Sequence, residues 1–234
     1  MPETTNKKTY VWDDISMPRL GASLTRSENK FLHRGLHSVN GQTALDIGCG
    51  TGKHSKILDA LGFSTTSIEY DFTPISLFKE RNPNAKLAQA DGQHLPFTDK
   101  AFNVVLAMQV QDYFTDRNSF YEEVWRVLKP GGLFILTMTN KHSIKGLIYE
   151  RYLSWNNRKR TAAFYADSLS TCLEKLQQHP FSVEEMWGYN WNTLPRNCNN
   201  ALLVNSWAAI EKVFRLEKFP YISPVVFVIA RKNI

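Results

Sequence analysis

Apolar residues along this chain form two kinds of pattern, short continuous runs and stripes with helical spacing. The runs Phe102–Met108 and Val225–Ala230 have the length of buried strands, whereas Phe120, Val124 and Val127 recur every three or four positions. Continuous apolar runs are typical of parallel strands that are covered on both faces. Strands that alternate with helices in this way predict right-handed crossovers and a doubly wound α/β sheet.

The same pattern, with glycine, proline and capping residues as boundaries, predicts the individual elements. The predicted strands are Thr43–Ile47, Ser64–Glu69, Lys86–Ala90, Phe102–Met108, Leu133–Thr139, Phe181–Tyr189 and Ser223–Lys232. Helices are predicted from a capping box at Thr25–Glu28, over Lys53–Leu61, from Thr73-Pro74, up to Leu128 before Pro130-Gly131-Gly132, and within the excursion Asn190–Tyr221.

The amino-acid composition indicates the size of the hydrophobic core and the cellular compartment. With 43% hydrophobic residues among 234, the chain has enough apolar material for one sizeable core. The apolar runs are strand-sized and residues Met1–Lys8 are polar, so neither a membrane span nor a secretion signal is predicted. Cys49, Cys172 and Cys198 lack the spacing of metal ligands, so we expect no disulfide framework, no metal site and a reducing, cytoplasmic location.

The charge balance raises the question of an acidic partner. Lys and Arg number 28 against 22 Asp and Glu, which gives a net charge of +6 and a pI of about 9.2. Nucleic acid or a phosphorylated substrate would fit such a balance. The densest basic stretch is Arg151–Arg160, which also contains Tyr152 and Trp155. A solvated helix end with snorkelling side chains is the favoured alternative for this stretch.

A glycine-rich turn follows the first predicted strand and carries the most specific chemistry. It has the sequence Asp46-Ile47-Gly48-Cys49-Gly50-Thr51-Gly52. Glycines let the backbone pass close to a ligand, and the N–H groups that begin the next helix suit a carboxylate. The spacing is G-x-G-x-G rather than the G-x-G-x-x-G of dinucleotide sites, and Asp46 would repel a pyrophosphate. The turn therefore favours a cationic ammonium or sulfonium ligand over NAD.

Three motifs together resemble the class I S-adenosylmethionine-dependent methyltransferases. They are Ala44–Gly52, then Ala90-Asp91-Gly92 followed by Leu95-Pro96-Phe97, and Leu128–Gly132, so the resemblance covers about residues 40–140. It implies a mostly parallel, seven-stranded, Rossmann-like sheet with helices on both faces and an antiparallel last strand. It also implies S-adenosylmethionine as cofactor and S-adenosylhomocysteine as product.

The resemblance also implies a set of cofactor-binding residues. They are Asp46, Gly48, Cys49, Gly50 and Gly52 in the turn, Glu69 and Tyr70 after the second strand, Asp91 and Gly92 after the third, and Gln109 after the fourth. Glu69 is expected to accept from the ribose hydroxyls, with Asp71 as the rival, and Tyr70 either packs on the adenine or belongs to the core. Asp91 is expected to accept from the adenine amino group, whereas the alternative for Asp91-Gly92 is a plain turn.

Catalytic residues are harder to predict, because a sulfonium is already an activated methyl donor and a base is optional. If the acceptor is a hydroxyl or phenol, a base is expected after strand four or five, where Asp112 and His142 are the candidates. The alternatives are a helix-cap carboxylate for Asp112 and a surface histidine for His142. Met108–Tyr113 lacks the Asn/Asp-Pro-Pro-Tyr/Phe segment of enzymes that methylate exocyclic amines, which lowers the expectation of DNA-base chemistry.

We therefore interpret residues 1–234 as a single methyltransferase domain. Residues 1–40 form an N-terminal helical cap, residues 41–140 the cofactor-binding core, and residues 141–234 a substrate-side region with a helical insertion and closing strands. Tryptophan, tyrosine and asparagine are dense between residues 141 and 222, which favours an aromatic or glycosylated small molecule as acceptor, the alternative being that these residues pack the insertion onto the sheet. The basic charge balance would also fit an acidic small molecule. The alternatives are a tRNA methyltransferase that uses Arg151–Arg160 and a non-catalytic cofactor-binding homologue.

Overall fold

The computed structural model describes residues 18–37, 39, 42–155, 167–195 and 197–233. Within these ranges, no helix is both long and apolar enough to cross a lipid bilayer. The N-terminal part of the predicted cap, residues 1–17, lies outside the described residues, as do residues 156–160 of the basic stretch. Cys49, Cys172 and Cys198 are free thiols. The cytoplasmic location and the division into three segments stay predictions.

A seven-stranded sheet in the order β3-β2-β1-β4-β5-β7-β6 forms the centre of the molecule. Its strands are β1 (Thr43–Ile47), β2 (Ser64–Glu69), β3 (Lys86–Gln89), β4 (Phe102–Ala107), β5 (Leu128–Thr139), β6 (Phe181–Tyr189) and β7 (Val225–Lys232). The strands β1 to β5 pair in parallel, and β7 runs antiparallel to both of its neighbours, β5 and β6. The predicted doubly wound sheet with an antiparallel last strand is confirmed.

The described ranges contain seven helices around this sheet. They are α1 (Arg19–Leu36), α2 (Ser55–Ala60), α3 (Phe72–Arg81), α4 (Arg117–Val127), α5 (Ile144–Trp155), α6 (Leu169–Gln178) and α7 (Ala201–Val213). Side chains alternate between the faces along each strand. In β1, Leu45 and Ile47 pack in one buried cluster with α4 and α6, whereas Ala44 packs in the other with α1 and α2. The protein therefore has a hydrophobic core on each side of the sheet.

Helix α1 begins six residues before the predicted capping box. Its first backbone N–H groups are bound from far along the chain, Arg19 N by the side chain of Asn199 at 2.9 Å and Leu20 N by the carbonyl of Cys198 at 3.2 Å. These partners replace the local side-chain cap that the box at Thr25 would have supplied. The prediction of the helix start was wrong because the cap is a tertiary contact.

Strand β5 also begins earlier than predicted, at Leu128 rather than Leu133. Phe102 pairs with Leu128 and Val104 pairs with Leu133, so the residues between them bulge out of the ladder. Gly131 takes a positive φ of 73° in this bulge. The segment Pro130-Gly131-Gly132, which the sequence predicts to be only a helix stop, therefore also forms part of the beginning of strand β5.

Candidate functional site

A cavity of about 650 Å³ lies at the carboxyl ends of β1, β2, β3 and β4. We call it the first cavity. Its wall contains Gly48–Thr51 after β1, Glu69–Asp71 at the end of β2, Asp91 and Gln93 after β3, and Met108–Val110 after β4, together with Gly21, Leu24, Thr25 and Glu28 of α1. The volume is in the range typical of small-ligand sites. Four successive strand ends thus converge on one pocket, as expected for a doubly wound sheet.

The glycine turn takes a backbone path that only glycine follows without strain. Gly48, Gly50 and Gly52 have φ values of 69°, 53° and 85°. A Cβ on Gly48 would lie 2.4 Å from a methyl carbon of Val110. The turn is therefore pressed against the segment after β4, and its backbone forms the floor of the first cavity.

Three of the predicted cofactor residues lie behind the wall of the first cavity rather than on it. Asp46 is buried, and its Oδ2 accepts a hydrogen bond of 2.6 Å from the Ser55 hydroxyl of α2. A Cβ on Gly52 would meet the ring of Phe78, and one on Gly92 would meet Phe114. These residues hold the turn and its neighbours in place, and their part in cofactor binding stays a prediction.

Burial has an electrostatic consequence for Asp46. Removal from water raises the pKa of its carboxyl to about 6, although the nearby His54 and the bond from Ser55 act in the opposite direction. The carboxyl is therefore largely ionised at neutral pH and places negative charge directly beneath the turn. That charge favours a cationic ligand group without direct contact.

Glu69 is fixed at the end of β2 by backbone donors. Its Oε2 accepts from Gly50 N at 2.9 Å, and its Oε1 accepts from Tyr70 N at 2.8 Å and Asp71 N at 3.1 Å. Asp71 is exposed and precedes the first residue of α3, where its side chain makes no capping bond. Tyr70 is 69% exposed, so it does not belong to the core. All three residues lie on the wall of the first cavity.

Asp91 is held at the mouth of the first cavity by its own turn. Its Oδ1 accepts from Gln93 N at 2.9 Å, and the Gln93 amide donates to both carboxylate oxygens at 3.2 and 3.1 Å. This is the geometry of a plain turn carboxylate, which was the alternative reading of Asp91-Gly92. Both Asp91 and Gln93 nevertheless line the first cavity, so a plain turn at Asp91 is compatible with the predicted contact to the adenine amino group.

A buried carboxylate from α1, which the sequence analysis missed, lies against the same cavity. Glu28 is 1% exposed, and its Oε2 accepts from Lys53 Nζ at 2.7 Å and contacts His54 Nε2 at 3.4 Å. Its Oε1 accepts from the Gln109 side chain and from the Tyr189 hydroxyl, the latter at 3.1 Å. Within the sequence Glu28 was explained as a capping-box residue, and only the docking of α1 reveals its other role.

The partners of Glu28 determine its charge. Burial alone would raise the pKa of its carboxyl, but the hydrogen bond and charge of His54 and Lys53 outweigh burial and lower the pKa to about 2. Glu28 is therefore ionised at all ordinary pH values. It ties α1 to the start of α2 and to the segment after β4.

Gln109 is held in a backbone conformation that non-glycine residues rarely adopt, with φ at 57°. Its backbone N–H donates to the Thr137 hydroxyl at 2.7 Å, and its side chain donates to Glu28. These two bonds offset the strain and point the side chain across the cavity wall. Gln109 is thus positioned where two cavities meet.

A second cavity of about 560 Å³ adjoins the first. The two share Gly21, Leu24 and Gln109 as wall residues. The rest of the second wall is mostly apolar or aromatic and contains Leu20, Met138, Ile148, Tyr149, Tyr152, Tyr189, Leu194 and Val225, with Asp112, Thr139, Lys145, Asn190, Asn192 and Thr193 as polar members. We call this cavity the second cavity.

The two predicted catalytic residues are separated by the structure. Asp112 lies on the wall of the second cavity and is 3% exposed. His142 is exposed and lies on the wall of neither cavity, and its backbone N–H donates to the side chain of Asn140 at 3.1 Å. This position agrees with the surface-histidine alternative for His142, and a catalytic role for either residue stays a prediction.

Comparison with known proteins agrees with this arrangement. Residues 45–136 match the family model described as a methyltransferase domain. A solved structure of an S-adenosylmethionine-dependent methyltransferase from Mesorhizobium loti superposes with a TM-score of 0.61 at 16% identity, covering 87% of this chain and 96% of that one. At that identity the likeness shows the fold.

Two curated relatives have names that state their substrates. A 2-methyl-6-phytyl-1,4-hydroquinone methyltransferase of Synechocystis is 31% identical over 56% of this chain and 46% of its own length. A phthiotriol/phenolphthiotriol dimycocerosates methyltransferase of Mycobacterium tuberculosis is 28% identical over 72% of this chain and 58% of its own length. The chain thus spans about half the length of the curated relatives it matches.

Proposed function

We propose that this chain, which carries the domain of the class I S-adenosylmethionine-dependent methyltransferases, binds S-adenosylmethionine in the first cavity and methylates a small molecule held in the second. The observation that carries the proposal is the adjacency of the two cavities at the carboxyl ends of the parallel strands, with Gln109 in the wall of both. S-Adenosylmethionine supplies a methyl group on a positively charged sulfur. The protein then has to align that methyl group with the acceptor and exclude water.

The residues present fit this cofactor. The backbone path at Gly48 and Gly50 leaves no side chain on the cavity floor, as a close approach of a ligand requires. The wall carries Glu28, Glu69, Asp71 and Asp91 but only Lys53 and His54 as basic groups, and Lys53 is paired with Glu28. Such an excess of carboxylates suits the sulfonium and ammonium groups of the cofactor and is unfavourable for the pyrophosphate of NAD.

Each wall residue receives a role from its position. Glu69 is our choice for the ribose hydroxyls, because backbone N–H groups already fix its carboxylate and the residue lines the first cavity. Asp91, at the mouth, accepts from the adenine amino group, and the exposed ring of Tyr70 packs on the adenine. Gln109 lies at the reactive end, next to the acceptor. The backbone of Gly48–Gly50 carries the methionyl part.

The second cavity supports a small-molecule acceptor over RNA. Its wall is mostly apolar or aromatic, its lysine Lys145 donates to the carbonyl and side-chain oxygens of Asn190, and it contains the buried carboxyl of Asp112. A polyanion would be repelled by that carboxyl. The RNA alternative rests on residues 151–160, of which Arg151–Trp155 are described at the end of α5. The named substrates of the two curated relatives, a hydroquinone and a lipid, agree with the small-molecule choice.

Calorimetric titration of the purified chain tests the proposal. We expect saturable binding of one S-adenosylmethionine per chain, competition by S-adenosylhomocysteine for the same site, and no heat of binding with NAD. Saturable binding of NAD without binding of S-adenosylmethionine would refute the proposal. Transfer of a labelled methyl group from S-adenosylmethionine to any small-molecule acceptor distinguishes an enzyme from a homologue that only binds the cofactor.

A further inference from the structure

We propose that the second cavity accepts an amphiphilic molecule whose hydroxyl group donates a hydrogen bond to Asp112, and that this carboxylate takes up the hydroxyl proton during methylation. The inference rests on the proposed function, because it names the acceptor class and the base of the same transfer. Three observations carry it: an unsatisfied buried carboxylate oxygen, an apolar wall that reaches the surface, and the junction of the two cavities.

The first observation concerns the hydrogen bonds of Asp112. Its Oδ2 accepts from Thr139, from the backbone N–H at 3.2 Å and from the hydroxyl at 2.7 Å. Its Oδ1 is buried and has no hydrogen-bond partner within the described part of the chain. A buried acceptor without a donor is costly, and an O–H group of a bound molecule supplies that donor whereas an ether does not.

The second observation concerns the shape of the acceptor. Ile148 and Tyr152 of α5 line the second cavity and are 61% and 46% exposed, so the cavity opens to the surface along this helix. Ile144 and Leu147 extend the exposed apolar surface of the same helix, at 60% and 58% exposure. A molecule with its hydroxyl at Asp112 therefore finds an apolar path toward α5. A hydroxyl head with an apolar tail matches both ends of this path.

The third observation defines the reaction step. Because Gln109 belongs to both walls, a hydroxyl in the second cavity faces the reactive end of the first. In the transfer the acceptor oxygen forms a bond to the methyl carbon, and the methyl–sulfur bond breaks with its electron pair staying on sulfur. The hydroxyl proton moves to Asp112 Oδ1 and later passes to solvent. The products are the methyl ether and S-adenosylhomocysteine.

The charge state of Asp112 suits this step. Burial raises the pKa of its carboxyl to about 6, while the bonds from Thr139 and the charge of Arg117 limit the rise and Asp167 adds to it. Above pH 6 the group is mostly ionised and can accept a proton. The titratable groups that face it from neighbouring elements are Arg117 and Tyr121 of α4, Asp167 and Cys172 at α6, and Lys145 of α5.

The test uses methyl-labelled S-adenosylmethionine and 1,4-hydroquinones or primary alcohols that carry no chain, an octyl chain or a hexadecyl chain. We expect methylation of the chain-bearing compounds with a KM that falls as the chain lengthens. Asp112→Asn should lower kcat/KM by about 10²-fold or more and change the calorimetric affinity for S-adenosylmethionine less than about twofold. Transfer to no member of the series, with cofactor binding intact, overturns the acceptor class but leaves the proposed function standing.

Two further variants separate a base from a structural role. Thr139→Val removes a bond that stabilises the Asp112 anion, so the acidic limb of the kcat/KM profile should move to higher pH. Asp167→Asn is the matched change on a carboxylate outside both cavity walls, and it removes a negative charge near Asp112. The acidic limb of the kcat/KM profile should therefore move to lower pH, and kcat at pH 8 should stay at the wild-type value. An unchanged rate in Asp112→Asn, or a limb that moves in neither variant, contradicts the role as base.

Binding to the protein loaded with S-adenosylhomocysteine gives an independent readout. Methyl ethers of the hexadecyl compounds should bind the wild-type chain at least about tenfold more weakly than the parent hydroxyl compounds. Asp112→Asn should reduce this difference to less than about threefold. Equal binding of ether and hydroxyl compounds by the wild-type chain would overturn the predicted hydrogen bond.

Discussion

Single residues at the first cavity are positioned chiefly by backbone donors. Glu69 illustrates this, because the N–H groups of Gly50, Tyr70 and Asp71 fix its carboxylate before any ligand arrives. A fixed carboxylate loses little conformational freedom when it binds a pair of hydroxyl groups. Asp71 lacks such bonds from its side chain and is exposed at the start of α3.

Substitution of these two carboxylates gives a prediction at the same scale. Glu69→Ala should weaken S-adenosylmethionine binding by about 10- to 100-fold, because it removes charge-assisted hydrogen bonds to the ribose. Asp71→Ala, the matched control two residues further along the chain, should change the affinity less than about threefold. Calorimetry on both variants measures the difference. A larger loss in Asp71→Ala than in Glu69→Ala would show that our choice of ribose ligand is wrong.

At the scale of elements, helix α1 closes the site by means of one carboxylate. Glu28 joins α1 to Lys53 and His54 at the start of α2, to Gln109 after β4 and to Tyr189 at the end of β6. Removing one partner from a buried charged cluster leaves the others unsatisfied. The first cavity should therefore depend on α1 even though the helix lies outside the family-model match at residues 45–136.

Glu28→Gln tests this dependence. We expect the free energy of unfolding at pH 7 to fall by about 2 kcal/mol, because bonds to a buried charged group are lost. Since the pKa of Glu28 is lowered from 4.5 to about 2, its stabilisation is present above pH 4.5 and is lost as the pH falls toward 2. The variant should therefore lose less stability than the wild type between pH 5 and pH 2.5, as measured by urea unfolding.

A matched control is a second carboxylate that contacts α1 from another part of the chain. Glu217→Gln removes the partner of Lys30, a pair at 2.9 Å with side chains that are 34% and 61% exposed. A surface ion pair contributes little, so the free energy of unfolding should change by less than about 0.5 kcal/mol. Equal effects of Glu28→Gln and Glu217→Gln would contradict the role of Glu28 as the tie between α1 and the site.

The elements also show where prediction from sequence succeeds and where it stops. Strands such as Thr43–Ile47 and Phe181–Tyr189 could be delimited exactly as observed, because apolar runs and breakers are local signals. The start of α1 and the role of Glu28 could not be predicted from the sequence, because the residues that contact them lie far along the chain. His142 follows the predicted strand, but its side chain lies on the wall of neither cavity, which a local sequence pattern does not reveal.

At the scale of the whole molecule, sheet order determines which strand ends meet. The central position of β1 and β4 brings the glycine turn beside Gln109, and the antiparallel β7 brings β6 and Tyr189 back to the same region. The resemblance indicated this topology, but the second cavity depends on α1, α5 and the loop after β6 packing together. Those contacts join distant parts of the sequence, which explains why the sequence alone assigns the proposed acceptor site only to a broad region.

The most direct test of the central claim compares two glycine variants by calorimetry with S-adenosylmethionine. Gly50→Val introduces a side chain at the cavity floor where φ is 53°, whereas Gly62→Val introduces comparable strain at φ 87° in open space beyond α2. The account predicts that Gly50→Val abolishes binding and that Gly62→Val lowers stability but keeps the wild-type affinity. Near-normal affinity in a folded Gly50→Val variant would contradict the assignment of the first cavity to the cofactor.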